Sequence, residues 1–181
     1  LNDAAAVGIV EKMITAIFII PSTMLATVSA LSAQNIGAKD YGRARTVLKY
    51  AVMITTLYGI IVALIVECAA PTLLGLFTKD TTVILLGVQY ISSYIMDTIF
   101  AGIHFCFSGY FAADGKSYIG FIHNIIAISL VRVPGSYIAS IMYPHNLFPM
   151  GLAAPLGSLL SVIICLIAYR ILKKKDELSV L

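Results

Sequence analysis

A carboxylate at the centre of a bilayer-length apolar run constrains this chain more than any other feature in it. The run extends from Thr81 to Ala113, and its single acid, Asp97, is equidistant from the two ends. At ~1.5 Å of rise per residue, a helix of this length crosses the ~30 Å hydrocarbon core and holds Asp97 near the midplane. A charge at that depth is costly, so Asp97 must face protein or water and not lipid. Steps of three, four and seven residues from Asp97 reach Tyr90, Ser93, Tyr94, Ala101 and His104, and Ser108 lies one turn further, which makes one polar stripe. The stripe reads either as hydrogen-bonding glue between helices or as a site for a proton, a cation or a cationic substrate. The second reading is preferred, because intramembrane acids are expensive and usually functional.

The rest of the chain repeats the apolar theme. With 60% hydrophobic and only 12% charged residues, the composition is that of an integral membrane protein and excludes an ordinary soluble domain. The net charge of +3 is spread between apolar runs and not along one face, which argues against a nucleic-acid partner and for a lipid bilayer. Cys68, Cys106 and Cys165 lie far apart inside apolar stretches and read as core residues. Five spans are expected, over about 4–33, 50–76, 81–113, 118–143 and 150–169, so the fold class is an all-α polytopic helix bundle.

The basic residues set the expected orientation. Lys39, Arg43, Arg45 and Lys49 follow the first span, Lys116 follows the third, and Arg170 with Lys173, Lys174 and Lys175 ends the fifth. In an alternating five-span topology these fall on one side, expected to be cytoplasmic, together with the polar C-terminal tail; only Lys79 opposes them. Pro21, midway along the first span, should kink it. Glu11 and Lys12 read as an interfacial pair, their long side chains reaching the headgroups. Gly37 suits a left-handed helix cap. The small residues of the fifth span, Gly151, Ala153, Ala154, Gly157, Ser158 and Ser161, suit close helix packing.

Arg132, slightly past the middle of the fourth span, requires a partner. Glu67 lies ten residues from Phe77 and Arg132 eleven from Tyr143, depths of about 15 and 16 Å, whereas Asp97 lies roughly 8 Å deeper. Glu67 is therefore the expected partner of Arg132 and Asp97 the second choice. His104 and His123 read as hydrogen-bonded packing residues.

One stretch carries a family resemblance. Gln34-Asn35-Ile36-Gly37-Ala38, followed by Arg43-Ala44-Arg45, resembles the loop of multidrug and toxic compound extrusion (MATE) transporters. The likeness extends in order over Pro21, Phe77-Thr78-Lys79-Asp80, Gly115-Lys116-Ser117 and Arg132-Val133-Pro134, although the family's first glycine before Gly115 is Ala113 here. The resemblance implies a secondary active transporter of two pseudosymmetric six-helix bundles that exports organic cations, drugs or other toxic compounds in exchange for protons or sodium. Residues 1–181 would then be the C-terminal bundle without its first helix, partnered by an N-terminal bundle, in a bacterial plasma membrane; the start at Leu1 likewise suggests a piece of a longer protein. In some sodium-coupled members an acid on the helix matching Thr81 to Ala113 helps to hold the cation, and Asp97 stands about one turn outward of it.

The candidate substrate- or cation-binding residues are therefore Asp97, Tyr90, Ser93, Tyr94, His104, Arg132 and Glu67, and the motif loop comprises Gln34, Asn35, Gly37, Arg43 and Arg45. No cofactor is expected, and the coupling ion is left open. A lipid or lipid-linked oligosaccharide flippase of the same superfamily is the alternative, disfavoured because only Arg132 among the basic residues is intramembrane. Neither His-Glu-x-x-His nor Gly-x-Ser-x-Gly occurs, Gly115-Lys116-Ser117 lacks the upstream glycine of a phosphate-binding loop, and no enzyme is expected.

Overall fold

The computed structural model describes residues 2–178, with side chains through Lys174; the Lys175 side chain and most of the expected polar tail lie outside them. The described chain is helical. In order come α1 (Asn2–Ile17), α2 (Ile19–Gly37), α3 (Tyr41–Gly75), α4 (Thr81–Tyr94), α5 (Asp97–Ala113), α6 (Ser117–Ala127), a π-helical segment (Ile128–Arg132), α7 (Val133–Met142), α8 (Phe148–Gly151) and α9 (Ala153–Leu178). Four stretches are long and apolar enough to cross a membrane: Asn2–Gly37, Tyr41–Gly75, Ser117–Met142 and Phe148–Lys174. The α4–α5 pair makes a fifth if it counts as one span.

Helix starts and stops follow local chemistry. Asp40 caps α3 by accepting the Arg43 N–H at 2.8 Å, and Asp80 caps α4 by accepting from Thr82 N at 2.9 Å. The break between α1 and α2 falls at Phe18, one turn before Pro21. Proline has no N–H for the Ile17 carbonyl four residues back, and the Tyr58 hydroxyl of α3 donates to that carbonyl instead, at 2.9 Å. At the basic-loop end, α2 and α5 stop in the same way. Asp40 N bonds Asn35 O and Lys39 N bonds Ile36 O; Lys116 N bonds Phe111 O and Gly115 N bonds Ala112 O. The left-handed position is Gly115 (φ 70°) in the second turn but Lys39 (φ 61°) in the first, so Gly37 ends the helix without serving as its left-handed cap.

Two apolar clusters occupy the two ends of the bundle. One joins α1, the second half of α3 and α4, including Val10, Ile14, Leu74 and Ile91; the other joins α2, α3, α5 and α9 around Val28, Leu48, Cys106 and Phe111. The α4–α5 bend of 41° lies between them. The helix α5 is the axis of the second cluster and packs hardest on α2. Gly109 makes that possible: a Cβ there would fall onto the Leu25 carbonyl. The small residues Gly151, Ala153, Ala154, Gly157, Ser158 and Ser161 are all buried, and the stretch from Phe148 is the most buried of the long apolar segments.

Candidate functional site

The run from Thr81 to Ala113 is not one straight helix. It breaks at Ile95-Met96, and Asp97 opens α5. The N–H groups of the first turn of α5 bond the carbonyls of the bend, Thr98 N to Ile95 O and Ile99 N to Met96 O, so the carboxylate depends on side chains for its partners. Asp97 is fully buried, with 0% exposure.

Its partner is Arg132. The π-helical segment leaves Arg132 at the start of α7, and Nη2 donates to Asp97 Oδ2 at 3.1 Å and Oδ1 at 3.3 Å, and to Ser158 Oγ at 2.7 Å. One nitrogen thus serves both carboxylate oxygens, which is not the two-nitrogen fork of the strongest arginine pairs. Nε of Arg132 is buried without a hydrogen bond. Gly157 opens the passage for this side chain, since a Cβ there would lie 2.6 Å from Arg132 Cγ. The expected Glu67–Arg132 pair does not form. Glu67 is exposed on the outer face of α3, whereas Ala63, Val66 and Ala70 turn inward.

The polar stripe divides at the bend. Tyr90 donates to Glu11 Oε1 at 2.9 Å and stacks edge-on against Tyr94 at 5.4 Å. Ser93 is buried, donates to its own backbone at Tyr90 O, and packs against Gly151, so it fills an interface. On the other side of the bend, His104 is buried and its Nε2 meets Ser158 Oγ at 3.4 Å. A cavity of about 550 Å³ lies along this stripe, walled by Glu11, Phe18, Tyr94, His104, Phe105 and Arg132 among others. Arg132 lines it and Asp97 does not, so an occupant meets the guanidinium before the carboxylate. Glu11, read from sequence as interfacial, is half-buried and faces this cavity; only Lys12 is exposed. An acid next to a lysine carries no signal of depth, and its partner Tyr90 lies far along the chain. Among the described residues, no three His, Cys, Asp or Glu side chains gather as a metal cluster.

A family model described as MatE matches residues 2–138 of this chain. The chain belongs to the MatE family. No curated protein matches it. Among solved structures it is similar to one described as the inward-facing conformation of a multidrug resistance MATE family transporter of the MOP superfamily, with a TM-score of 0.83 and 15% identity over 91% of this chain and 37% of that one. The likeness establishes the fold, an all-α membrane helix bundle, and the chain spans 37% of the length of that structure. In this MatE chain the motif loop is mostly a surface element. Gln34, Gly37 and Arg43 are exposed, and the Asn35 side chain donates to Leu31 O at 2.7 Å. Arg45 turns inward and hydrogen-bonds Tyr110, tying the start of α3 to α5.

Proposed function

We propose that this chain is part of a secondary active transporter that exports organic cations in exchange for protons or sodium, and that it forms one bundle of a two-lobed protein. The observation that carries the reading is the fully buried Asp97, held through one arginine nitrogen beside a 550 Å³ cavity that also presents Glu11. Membership of the MatE family supports a transporter and not an enzyme.

The chemistry follows from competition for two carboxylates. A cationic substrate in the cavity meets Glu11 and the faces of Tyr94, Phe18 and Phe105, a combination of charge and aromatic surface suited to organic cations. While Asp97 is ionised, Arg132 is held on it at the cavity wall. A proton or sodium ion arriving at Asp97 neutralises that attraction, and the released guanidinium then competes with the substrate for the carboxylate of Glu11. Ion uptake and substrate release are thereby linked through one side chain. The flippase alternative is less favoured, because phosphate headgroups call for several cations and this wall offers Arg132 facing Glu11.

The test is Asp97→Asn in the full-length transporter, which keeps shape and removes charge. Normal insertion with loss of drug efflux is expected. Wild-type efflux with unaltered pH and sodium dependence would reduce Asp97 to a packing residue.

A further inference from the structure

Two buried histidines stand between Asp97 and the basic-loop end of the bundle, and their hydrogen bonds are unusual. His104 of α5 and His123 of α6 are 4% and 1% exposed, with ring centroids 5.4 Å apart, edge to face. Each ring has one nitrogen engaged by a serine. His104 Nε2 meets Ser158 Oγ at 3.4 Å, and His123 Nε2 meets Ser108 Oγ at 2.9 Å. In both rings Nδ1 is buried without a hydrogen-bond partner. Leaving a buried ring nitrogen unpaired is costly, and two adjacent cases call for a role beyond packing.

The serines connect the pair to its surroundings. Ser158 accepts from Arg132 and interacts with the Asp97 carboxylate, so it touches the ion pair and His104 together. Ser108 lines a second cavity, of about 230 Å³, which His123, Asn124, Gly120 and Ser117 also border. Ser117 is the first residue of α6, next to the Lys116 turn. The polar groups therefore run from Asp97 through Ser158, His104, His123 and Ser108 to a cavity bordered by Ser117 at the basic-loop end of α6.

We propose that His104 and His123 form a proton relay between Asp97 and the basic-loop side of the membrane. This rests on the export reading above and makes the proton its coupling ion. Neutral imidazole accepts a proton on one nitrogen and releases one from the other. Protonated Asp97 gives its proton to Ser158 Oγ as Ser158 passes its own to His104 Nε2. His104, now imidazolium, releases a proton from Nδ1 to His123 Nδ1 once rotation of the rings, which are not hydrogen-bonded to each other here, brings the two nitrogens together, and His123 releases one from Nε2 to the Ser108 hydroxyl and the second cavity. No covalent bond other than those to hydrogen changes, and Asp97 ends ionised and paired again with Arg132.

The charged and titratable groups around the pair are few: Asp97 on α5, Arg132 from the π-helical segment, Glu11 on α1 and Tyr94 on α4. The α2 helix carries no titratable side chain. The α9 helix meets the pair with Ser158 and Ser161, while its Cys165 and the Cys106 of α5 sit in the neighbouring apolar cluster.

The experiment uses the full-length transporter in proteoliposomes with ethidium as the cation, comparing uptake driven by a pH gradient with ethidium–ethidium exchange, which moves no net proton. His104→Gln and His123→Gln keep hydrogen bonding but cannot shuttle protons. Both are expected to lose at least tenfold in gradient-driven uptake, to lose the wild-type pH profile, and to keep their thermal stability; His123→Gln, which lies outside the wall of the 550 Å³ cavity, should also retain exchange within twofold. His123→Ala should regain driven uptake when imidazole is supplied from the basic-loop side. Wild-type driven rates and pH profile in both Gln variants, parallel loss of exchange in His123→Gln, or no rescue by imidazole would each overturn the relay. Uptake driven by sodium alone, or a fully active Asp97→Asn, would overturn the relay while leaving export intact; no ethidium movement by the wild type would remove the export reading itself.

Discussion

Arg132 reaches both carboxylate oxygens of Asp97 through the same nitrogen, Nη2, while the carboxylate is completely buried and the arginine side chain stays 29% exposed. The pair is thus asymmetric: one member is fixed at a helix start and the other has room to leave. Removing either partner alone strands a charge at depth, a loss of about 3 to 5 kcal/mol for buried pairs, and removing both should be milder. Asp97→Asn, Arg132→Gln and the double variant, compared for folded yield and thermal stability in detergent, should show this coupling; strictly additive losses would exclude it.

Glu11 should contribute to cation affinity. Its carboxylate accepts from Tyr90 and faces the cavity, and hydrogen bonds to charged groups are worth about 1.5 to 3 kcal/mol. Glu11→Gln in the full-length transporter should therefore weaken binding of a fluorescent organic cation roughly 10- to 100-fold, while Tyr90→Phe, which leaves the charge in place, changes it less. Equal affinity of Glu11→Gln and wild type would take Glu11 out of the site.

The two matching turns after α2 and α5 give a stability prediction of opposite signs. A non-glycine residue in the left-handed region costs about 1 to 2 kcal/mol, partly offset by the ~0.4 to 1 kcal/mol entropic cost of glycine. Lys39→Gly should stabilise by about 0.5 kcal/mol, and Gly115→Ala should destabilise by about 1 kcal/mol, both read as shifts in thermal midpoint. A loss in Lys39→Gly would mean that the lysine side chain outweighs its backbone strain.

Orientation is open to direct chemistry. Basic loops are retained in the cytoplasm during insertion, so Lys39, Lys116 and Lys173 should face inward. Single cysteines at Lys39 and Thr78 in a cysteine-free background, labelled in intact cells with an impermeant thiol reagent, should react only at Thr78. The opposite pattern would invert the topology.

The helices and their small-residue faces were readable from the chain because apolar length and residue size act locally. The bend at Ile95-Met96 was not, since neither residue is a helix breaker and no glycine or proline marks it. That omission led directly to the wrong partner for Arg132. Counting depth along straight helices set Asp97 about 8 Å below Arg132, but the 41° bend and the π-helical segment, each invisible to residue counting, bring the two together. Glu67 failed for a different reason: depth was counted but azimuth was not, and its position on α3 turns outward. His104 was readable as part of the stripe, whereas its pairing with His123 depends on how α5 and α6 are laid side by side.

The contact of Gly109 with the Leu25 carbonyl has a mechanical meaning. With no space for a methyl group between the two backbones, any side chain at position 109 would force α2 and α5 apart. The apolar cluster that holds Val28 and Phe111 is built on that close approach. The segment from Ser117 to Met142 is the contrast: it is the least buried within this chain of the long apolar segments and is interrupted by a π-helical turn, so Arg132 is carried by the span that the rest of the bundle grips least.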